Sequence, residues 1–186
     1  MALSRRTGLT LLGALLAGKW AHANVIDGSG LPAQPWFLQS FLDLREDLEA
    51  AAAAGKRLAV LVEQKGCPFC RQLHEVNFAD PAIVDWIRAR FEILQLDLHG
   101  AREVTDLDGT VVEERAFARA ATGTVTPAVL FLPASLAEVA GRPARQAAVA
   151  RMPGYLPPRE FLALFRWVAD EGYRRESVNA LLRRSS

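Results

Sequence analysis

The chain has 186 residues, of which 51% are hydrophobic and 23% are charged, and its formal net charge is +1. These values are typical of a globular protein with one domain large enough to bury a hydrophobic core. So balanced a charge excludes the dense positive surface by which proteins bind nucleic acids or anionic membranes, and we expect neither as a partner.

The first 23 residues have the layout of a secretory signal peptide. Ser4-Arg5-Arg6 is followed by an apolar stretch from Gly8 to Gly18 and then by Ala21-His22-Ala23. We therefore predict export to the periplasm with cleavage after Ala23, and the arginine pair leaves both the Sec and the twin-arginine route open. The apolar stretch is shorter than the ~20 residues of a membrane-spanning helix, so we expect residues 24–186 to carry no membrane anchor.

A first amphipathic helix is predicted after a loose lead-in over residues 24–35. Apolar residues recur there at helical spacing with charged residues between them, and the apolar ones are Phe37, Phe41, Leu44 and Leu48. This pattern predicts a helix that runs to Ala54 and is ended by Gly55.

Two cysteines lie where the sequence changes from strand to helix. The apolar run Leu58–Val62 predicts a strand buried on both faces, and Gly66-Cys67-Pro68-Phe69-Cys70 follows it at the start of a predicted helix. At a helix start, unpaired N–H groups and the positive end of the helix dipole favour a thiolate over a thiol. Cys70 lies one turn further along and is close enough to Cys67 to form a disulfide. The pattern predicts a redox-active dithiol that needs no separate cofactor.

The alternatives for these two cysteines are a structural disulfide and a metal site. A disulfide across two intervening residues closes too small a loop to add much stability, so a structural role has little purpose. Zinc prefers four ligands, and His74 and His99 are the only histidines after Ala23, so we expect no zinc. Cu(I) remains an alternative because two thiolates can hold this soft ion, although Met152 is the only methionine after Ala23.

The later part of the chain alternates helices and strands. In its first half we predict a helix that Asp80-Pro81 begins, a strand over Phe91–Leu98 parallel to the first strand, a hairpin or loop that turns at Asp108-Gly109, and a short helix over Glu113–Thr122. In its second half we predict a strand over Thr124–Leu132 with Pro127 near its start, an irregular segment over Pro133–Gln146, an antiparallel edge strand over Ala147–Met152, and a helix from Pro158 with Phe161, Leu164, Phe165 and Val168 buried.

This order of elements resembles the thioredoxin fold. The resemblance implies an α/β domain over residues 24–186, with a central mixed sheet of four to five strands flanked by helices and a small hairpin or loop insertion. In thioredoxin-like proteins the proline that opens the later strand is cis and lies beside the dithiol, where neighbouring backbone pairs with the substrate polypeptide. The resemblance therefore implies Cys67 and Cys70 as catalytic residues, and Thr126 and Pro127 as substrate-binding residues.

Three longer motifs narrow the resemblance. Gln64–Cys70, Phe78-Ala79-Asp80-Pro81 and Gly154-Tyr155 are similar to motifs of the exported thioredoxins of bacterial sulfur-oxidation (Sox) systems. This implies a periplasmic protein disulfide reductase in which Cys67 attacks a disulfide of a partner and Cys70 resolves the mixed disulfide. The expected partners are disulfide-bearing periplasmic client proteins, such as a carrier protein or a cytochrome-maturation component, and a membrane thiol-electron transporter as reductant. A disulfide oxidase or isomerase and a Cu(I)-binding chaperone are the alternative functions.

One position departs from the thioredoxin pattern. Thioredoxins carry a buried acid six residues before the first cysteine, where it assists proton transfer, and this chain has Leu61 there. Glu63 is the nearest acid, and the sequence does not say whether it faces the site. Lys65 and Arg71 flank the cysteine motif, and their positive charge is an alternative support for the thiolate.

Four other residues near the motif receive simple interpretations. Phe69 lies between the cysteines and is expected to be exposed, where it would make an apolar contact with a substrate. His74 is interpreted as a surface or packing residue. Asp97 and His99, at the end of a predicted strand, are interpreted as loop residues without a function.

Overall fold

The computed structural model describes residues 25–26 and 30–185, so the predicted signal peptide over residues 1–23 lies outside the described residues. The described strands are β1 (Val25–Ile26), β2 (Pro32–Ala33), β3 (Arg57–Glu63), β4 (Phe91–Asp97), β5 (Glu103–Thr105), β6 (Val111–Glu113), β7 (Ala128–Phe131) and β8 (Ala150–Pro153). The described α-helices are α1 (Leu44–Ala53), α2 (Pro68–Gln72), α3 (Pro81–Arg88), α4 (Glu114–Thr122), α5 (Leu136–Val139), α6 (Ala144–Ala147), α7 (Pro158–Ala169) and α8 (Val178–Ser185). A π-helical segment, Leu73–Asn77, continues α2, and a 3₁₀ turn, Gly172–Arg174, follows α7. Within this part of the chain, none of the helices combines the length and apolarity needed to cross a bilayer.

The central sheet has four strands in the order β4-β3-β7-β8. Strand β3 pairs with β4 in parallel and with β7 antiparallel, and β8 pairs with β7 antiparallel at the edge. This mixed sheet confirms the predicted fold class. Because β3 has neighbours on both sides and is buried from Leu58 to Glu63, it holds the residues that follow it in a fixed place.

Two layers of apolar side chains cover the faces of this sheet. Side chains alternate along a strand, so Leu58, Val60 and Val62 of β3 face one layer, with α1 and α4 packed against it. Ala59 and Leu61 face the other layer, which contains side chains of α3 and α7. The helices therefore lie on both faces of the sheet, as expected for an α/β domain.

The predicted hairpin insertion is present as β5 and β6, which pair antiparallel. Gly109 adopts a φ of +85°, a conformation that glycine reaches without steric cost, and the Asp108 side chain accepts the N–H of Thr110 at 3.0 Å. The segment predicted to be irregular, Pro133–Gln146, differs from the prediction because it contains the short helix α5 and most of α6.

The predicted start of the first helix is wrong. Helix α1 begins at Leu44, because Asp43 Oδ1 accepts the N–H groups of Arg45 at 2.9 Å and Glu46 at 3.2 Å and so caps the helix there. Leu42, which precedes Asp43, has a φ of +66°, a backbone conformation that does not occur within a right-handed α-helix. Phe41, predicted to be on the buried face, is fully exposed.

Other predicted helices and strands agree with the structure within a few residues. Asp80 caps α3 by accepting the N–H of Ala82 at 2.9 Å, with Pro81 at the first helical position. In α7, the predicted stripe is buried, and its members are Phe161, Leu164, Phe165 and Val168. Side chains of α3 and α7 share their apolar layer with Leu73, from the π-helical segment that continues α2.

Candidate active site

The two cysteines lie at the junction between β3 and α2. Gly66 has a φ of +75°, which turns the chain out of the strand, and Pro68 occupies the first turn of the helix. Cys67 is the N-cap residue, and its Sγ accepts the N–H of Cys70 at 3.1 Å. The two cysteines form a disulfide, with 5.2 Å between their Cα atoms.

The two sulfurs differ in accessibility. Cys70 is fully buried, with an exposed fraction of 0%, whereas Cys67 is half-buried and reaches the surface. When the pair is reduced, only the sulfur at the helix start can therefore meet a large partner. That sulfur also has the N–H group of Cys70 directed at it, which favours its negatively charged form.

Thr126 and Pro127 lie beside the exposed sulfur. The peptide bond between them is cis, and the Thr126 hydroxyl donates to Cys67 Sγ at 3.4 Å. The carbonyl oxygen of Thr126 lies 3.5 Å from the same sulfur. The structure thus brings together all four residues that the sequence suggested for the site.

The sequence and structure comparisons identify the family. The family whose description is "Thioredoxin-like domain" matches residues 44–169. The chain belongs to the thioredoxin-like family. Among solved structures, it is similar to a thioredoxin-fold protein from Helicobacter pylori, with a TM-score of 0.55 and 16% identity over 70% of this chain and 79% of that one. It is also similar to a thioredoxin from Thermus thermophilus, with a TM-score of 0.52 and 26% identity over 70% of this chain and 86% of that one. No curated protein matches the sequence significantly.

An apolar strip borders the disulfide of this thioredoxin-like domain on one side. Phe69 is 57% exposed, as the sequence suggested, and its ring stacks on that of Tyr155, with 6.4 Å between the centroids. Val125, which is also exposed, lies next to Gly154, where an added Cβ would come within 3.7 Å of its side chain. Burial raises the pKa of the Tyr155 hydroxyl above its ordinary value, so the strip of Phe69, Tyr155 and Val125 stays uncharged at neutral pH.

A cleft borders Cys67 on another side of α2. It has a volume of about 380 Å³, and its wall includes Gly30, Gln64 and Arg71. The Arg71 guanidinium lies 4.0 Å from the Glu75 carboxylate, one helical turn away, and both side chains are mostly exposed. Arg71 of the cleft and Phe69 of the apolar strip lie on different faces of α2, because positions two apart in a helix do not face the same way.

A buried ionisable pair lies behind the cysteine motif. Glu63 and His74 both have fully buried side chains, and His74 Nε2 lies 3.0 Å from Glu63 Oε2. Gln95 donates to the same carboxylate oxygen at 2.6 Å, and the Gln34 amide lies 3.0 Å from His74 Nδ1. Of the two interpretations of His74, the surface one is wrong and the packing one fits, because its ring is buried and hydrogen-bonded at both nitrogens.

Glu63 does face the interior behind the site, which the sequence left open. Leu61, at the position where thioredoxins carry their acid, belongs to the hydrophobic layer. The direction of the Glu63 side chain can be inferred from the sequence, because residues two apart in a strand share a face. Glu63 therefore lies on the face of Leu61, one step closer to the cysteines.

Among the described residues, no three or more His, Cys, Asp and Glu side chains come together as a candidate metal site. Cys67 and Cys70 form a disulfide with each other. The chemistry that these two residues support directly is thiol–disulfide exchange.

Proposed function

We propose that this protein is a thiol–disulfide oxidoreductase that reduces disulfides of partner proteins. The observation that carries the proposal is the pairing of a half-exposed Cys67, at the start of a helix, with a fully buried Cys70 in one disulfide. Membership of the thioredoxin-like family and the 26% identity to a thioredoxin support it.

The proposed reaction transfers two electrons from the dithiol to a client disulfide. The Cys67 thiolate attacks one client sulfur and forms a mixed disulfide with it, while the client S–S bond breaks and the other client sulfur leaves as a thiolate. Cys70 then loses its proton and attacks Cys67 Sγ, which releases the second client thiolate and restores the Cys67–Cys70 disulfide. Each client thiolate takes up a proton, and an external dithiol must reduce the protein again for the next cycle.

Client binding is proposed to involve the residues next to Cys67. Thr126 and Pro127 are the proposed contacts for the client backbone, because they lie directly beside the sulfur that attacks. The apolar strip is proposed to contact apolar side chains next to the client cysteine, because covering an exposed aromatic pair with apolar surface stabilises the complex.

The cellular setting is a proposal that comes from the sequence. We propose that the signal peptide directs the protein to the periplasm and is removed after Ala23. A membrane thiol-electron transporter would then supply electrons, and the clients would be disulfide-bearing periplasmic proteins. A narrower role in sulfur oxidation or cytochrome maturation rests on the three sequence motifs similar to Sox thioredoxins.

Two measurements on the purified protein test this proposal. The reduced protein is expected to reduce insulin disulfides, and the Cys67→Ser variant is expected to be inactive. The equilibrium reduction potential of the native Cys67–Cys70 pair is expected near that of thioredoxin, roughly −270 mV. A value of roughly −120 mV would favour an oxidase. Absence of insulin reduction, together with stoichiometric retention of Cu(I) against a chelator, would replace the proposal with a copper chaperone.

A further inference from the structure

A chain of side-chain hydrogen bonds connects an exposed histidine to the sulfur of Cys67. The Thr126 hydroxyl lies 3.4 Å from Cys67 Sγ, and Gln64 Nε2 lies 2.9 Å from that hydroxyl oxygen. Gln64 Oε1 in turn lies 3.0 Å from His99 Nε2. Gln64 comes from the loop after β3 and His99 from the loop after β4, so the parallel pairing of these strands brings them together.

All the donors in this chain point towards the sulfur. The Thr126 hydroxyl has one proton, which it donates to Cys67 Sγ, and its oxygen accepts from the Gln64 amide N–H. The Gln64 carbonyl oxygen then accepts from His99, whose Nε2 must carry a proton for that contact. Hydrogen bonds aligned in this way polarise one another, so each strengthens the next.

We propose that Gln64 and His99 are positioning residues that hold the Thr126 hydroxyl proton on Cys67 Sγ and thereby increase the fraction of Cys67 present as thiolate. A hydroxyl rotates freely unless its oxygen is engaged, and the Gln64 N–H engages it in the orientation that donates to sulfur. A hydrogen bond to the charged form of a group favours that form. The inference deepens the proposed function, and it rests on Cys67 being the nucleophile.

The His99 ring is expected to act on the sulfur through the same contacts, and a charged imidazole is a stronger hydrogen-bond donor than a neutral one. The charged groups around its loop are Asp97, whose Oδ1 accepts the His99 N–H at 2.9 Å, and Glu114, whose Oε1 accepts the Asp97 N–H at 2.7 Å. Arg102 pairs with Glu114, and Lys65 follows Gln64 in sequence. These groups fix the loop that carries His99.

The test measures the thiolate of Cys67 without requiring catalysis. In the Cys70→Ser background Cys67 is the single thiol of the chain, so its alkylation rate by iodoacetamide and its thiolate absorbance report the thiolate fraction. At a fixed pH below the titration midpoint, Thr126→Val, Gln64→Leu and His99→Ala should each lower this fraction by about two- to ten-fold, the range expected for one hydrogen bond. Thr126→Ser keeps the hydroxyl and should restore most of it.

Two controls separate this role from a general loss of structure. Thr122→Val removes a threonine hydroxyl that donates to Ala118 at 2.9 Å, and Gln39→Leu removes an amide on another loop. Both should leave the thiolate fraction unchanged. Thermal unfolding of every variant identifies any that lose stability. If Thr126→Val folds poorly, the Thr126→Ser variant still shows whether a hydroxyl at this position maintains the thiolate fraction of Cys67.

The decisive comparison combines the variants. If His99 acts through the Thr126 hydroxyl, His99→Ala should cause no further change in the alkylation rate of Cys67 in the Thr126→Val background. A full effect of His99→Ala in that background, or no effect of Gln64→Leu and His99→Ala in the native one, overturns the proposal. Insulin reduction by the native protein is measured separately, so a failure of the proposed function shows there and not in the alkylation rates.

Discussion

Replacing His74 by leucine removes one partner of the buried pair and leaves the Glu63 carboxylate inside the protein. The two side chains are fully buried, and Glu63 Oε2 accepts from both His74 and Gln95. Breaking a buried pair by removing one partner costs about 3–5 kcal/mol, because the remaining charge has lost its compensation. We therefore expect the free energy of unfolding of His74→Leu to fall by about that amount.

Removing the charge should reverse much of this loss. Glu63→Gln in the His74→Leu background keeps the shape of the side chain and eliminates the buried charge, so it should recover at least about half of the lost stability. The assay is equilibrium unfolding in urea at neutral pH with the disulfide intact, followed by tryptophan fluorescence.

An exposed pair on the same stretch of helix provides the control. Arg71 and Glu75 lie 4.0 Å apart with mostly exposed side chains, so Glu75→Gln should change the free energy of unfolding by at most about 1 kcal/mol. The reasoning about Glu63 and His74 would be refuted if the free energy of unfolding of His74→Leu lay within about 1 kcal/mol of the native value. It would also be refuted if the double variant were no more stable than His74→Leu.

Three further predictions concern the strip, the hairpin and a close contact. Phe69→Ala should lower kcat/KM for protein clients by about fivefold through lost aromatic contact, while Phe41→Ala, at an exposed phenylalanine away from the disulfide, should not change it. Burial raises the pKa of Asp106 above its ordinary 3.8. The contribution of Asp106 to the free energy of unfolding is therefore present below pH 3.8 and is lost as the pH rises through the pKa of the folded state. In a series of unfolding curves at different pH, Asp106→Asn should reduce this loss of stability with rising pH. Gly100→Ala should destabilise the protein by about 1–3 kcal/mol in urea unfolding, because the added Cβ would overlap the buried Glu114 carboxylate.

Much of the fold could be predicted from local sequence patterns. The apolar run that becomes β3 and the helical stripe of α7 are long enough to state both their type and their buried face. The start of α1 is not predictable from periodicity, because Phe37 and Phe41 continue the helical spacing while the Asp43 cap decides where the helix begins. The side-chain hydrogen bonds to two backbone N–H groups outweigh an apolar periodicity in which Phe41 is fully exposed.

The candidate site was predictable where its chemistry is local. Cys67 and Cys70 are three residues apart, so one helix start brings them together. The partners Glu63 and His74, and likewise Gln64 and His99, meet only because β3, α2 and β4 pack side by side. No pattern within one element encodes such contacts, so the sequence alone predicts only a loop position for His99.

The central claim is that Cys67 attacks and Cys70 resolves, and trapping the intermediate tests it most directly. Reduced Cys70→Ser protein, mixed with insulin, should accumulate a mixed disulfide that is visible on a non-reducing gel and disappears when reductant is added. Reduced Cys67→Ser protein should form none, because its remaining thiol is fully buried. Adducts with Cys67→Ser but not with Cys70→Ser would contradict the assignment, and two active variants without adducts would contradict the dithiol mechanism itself.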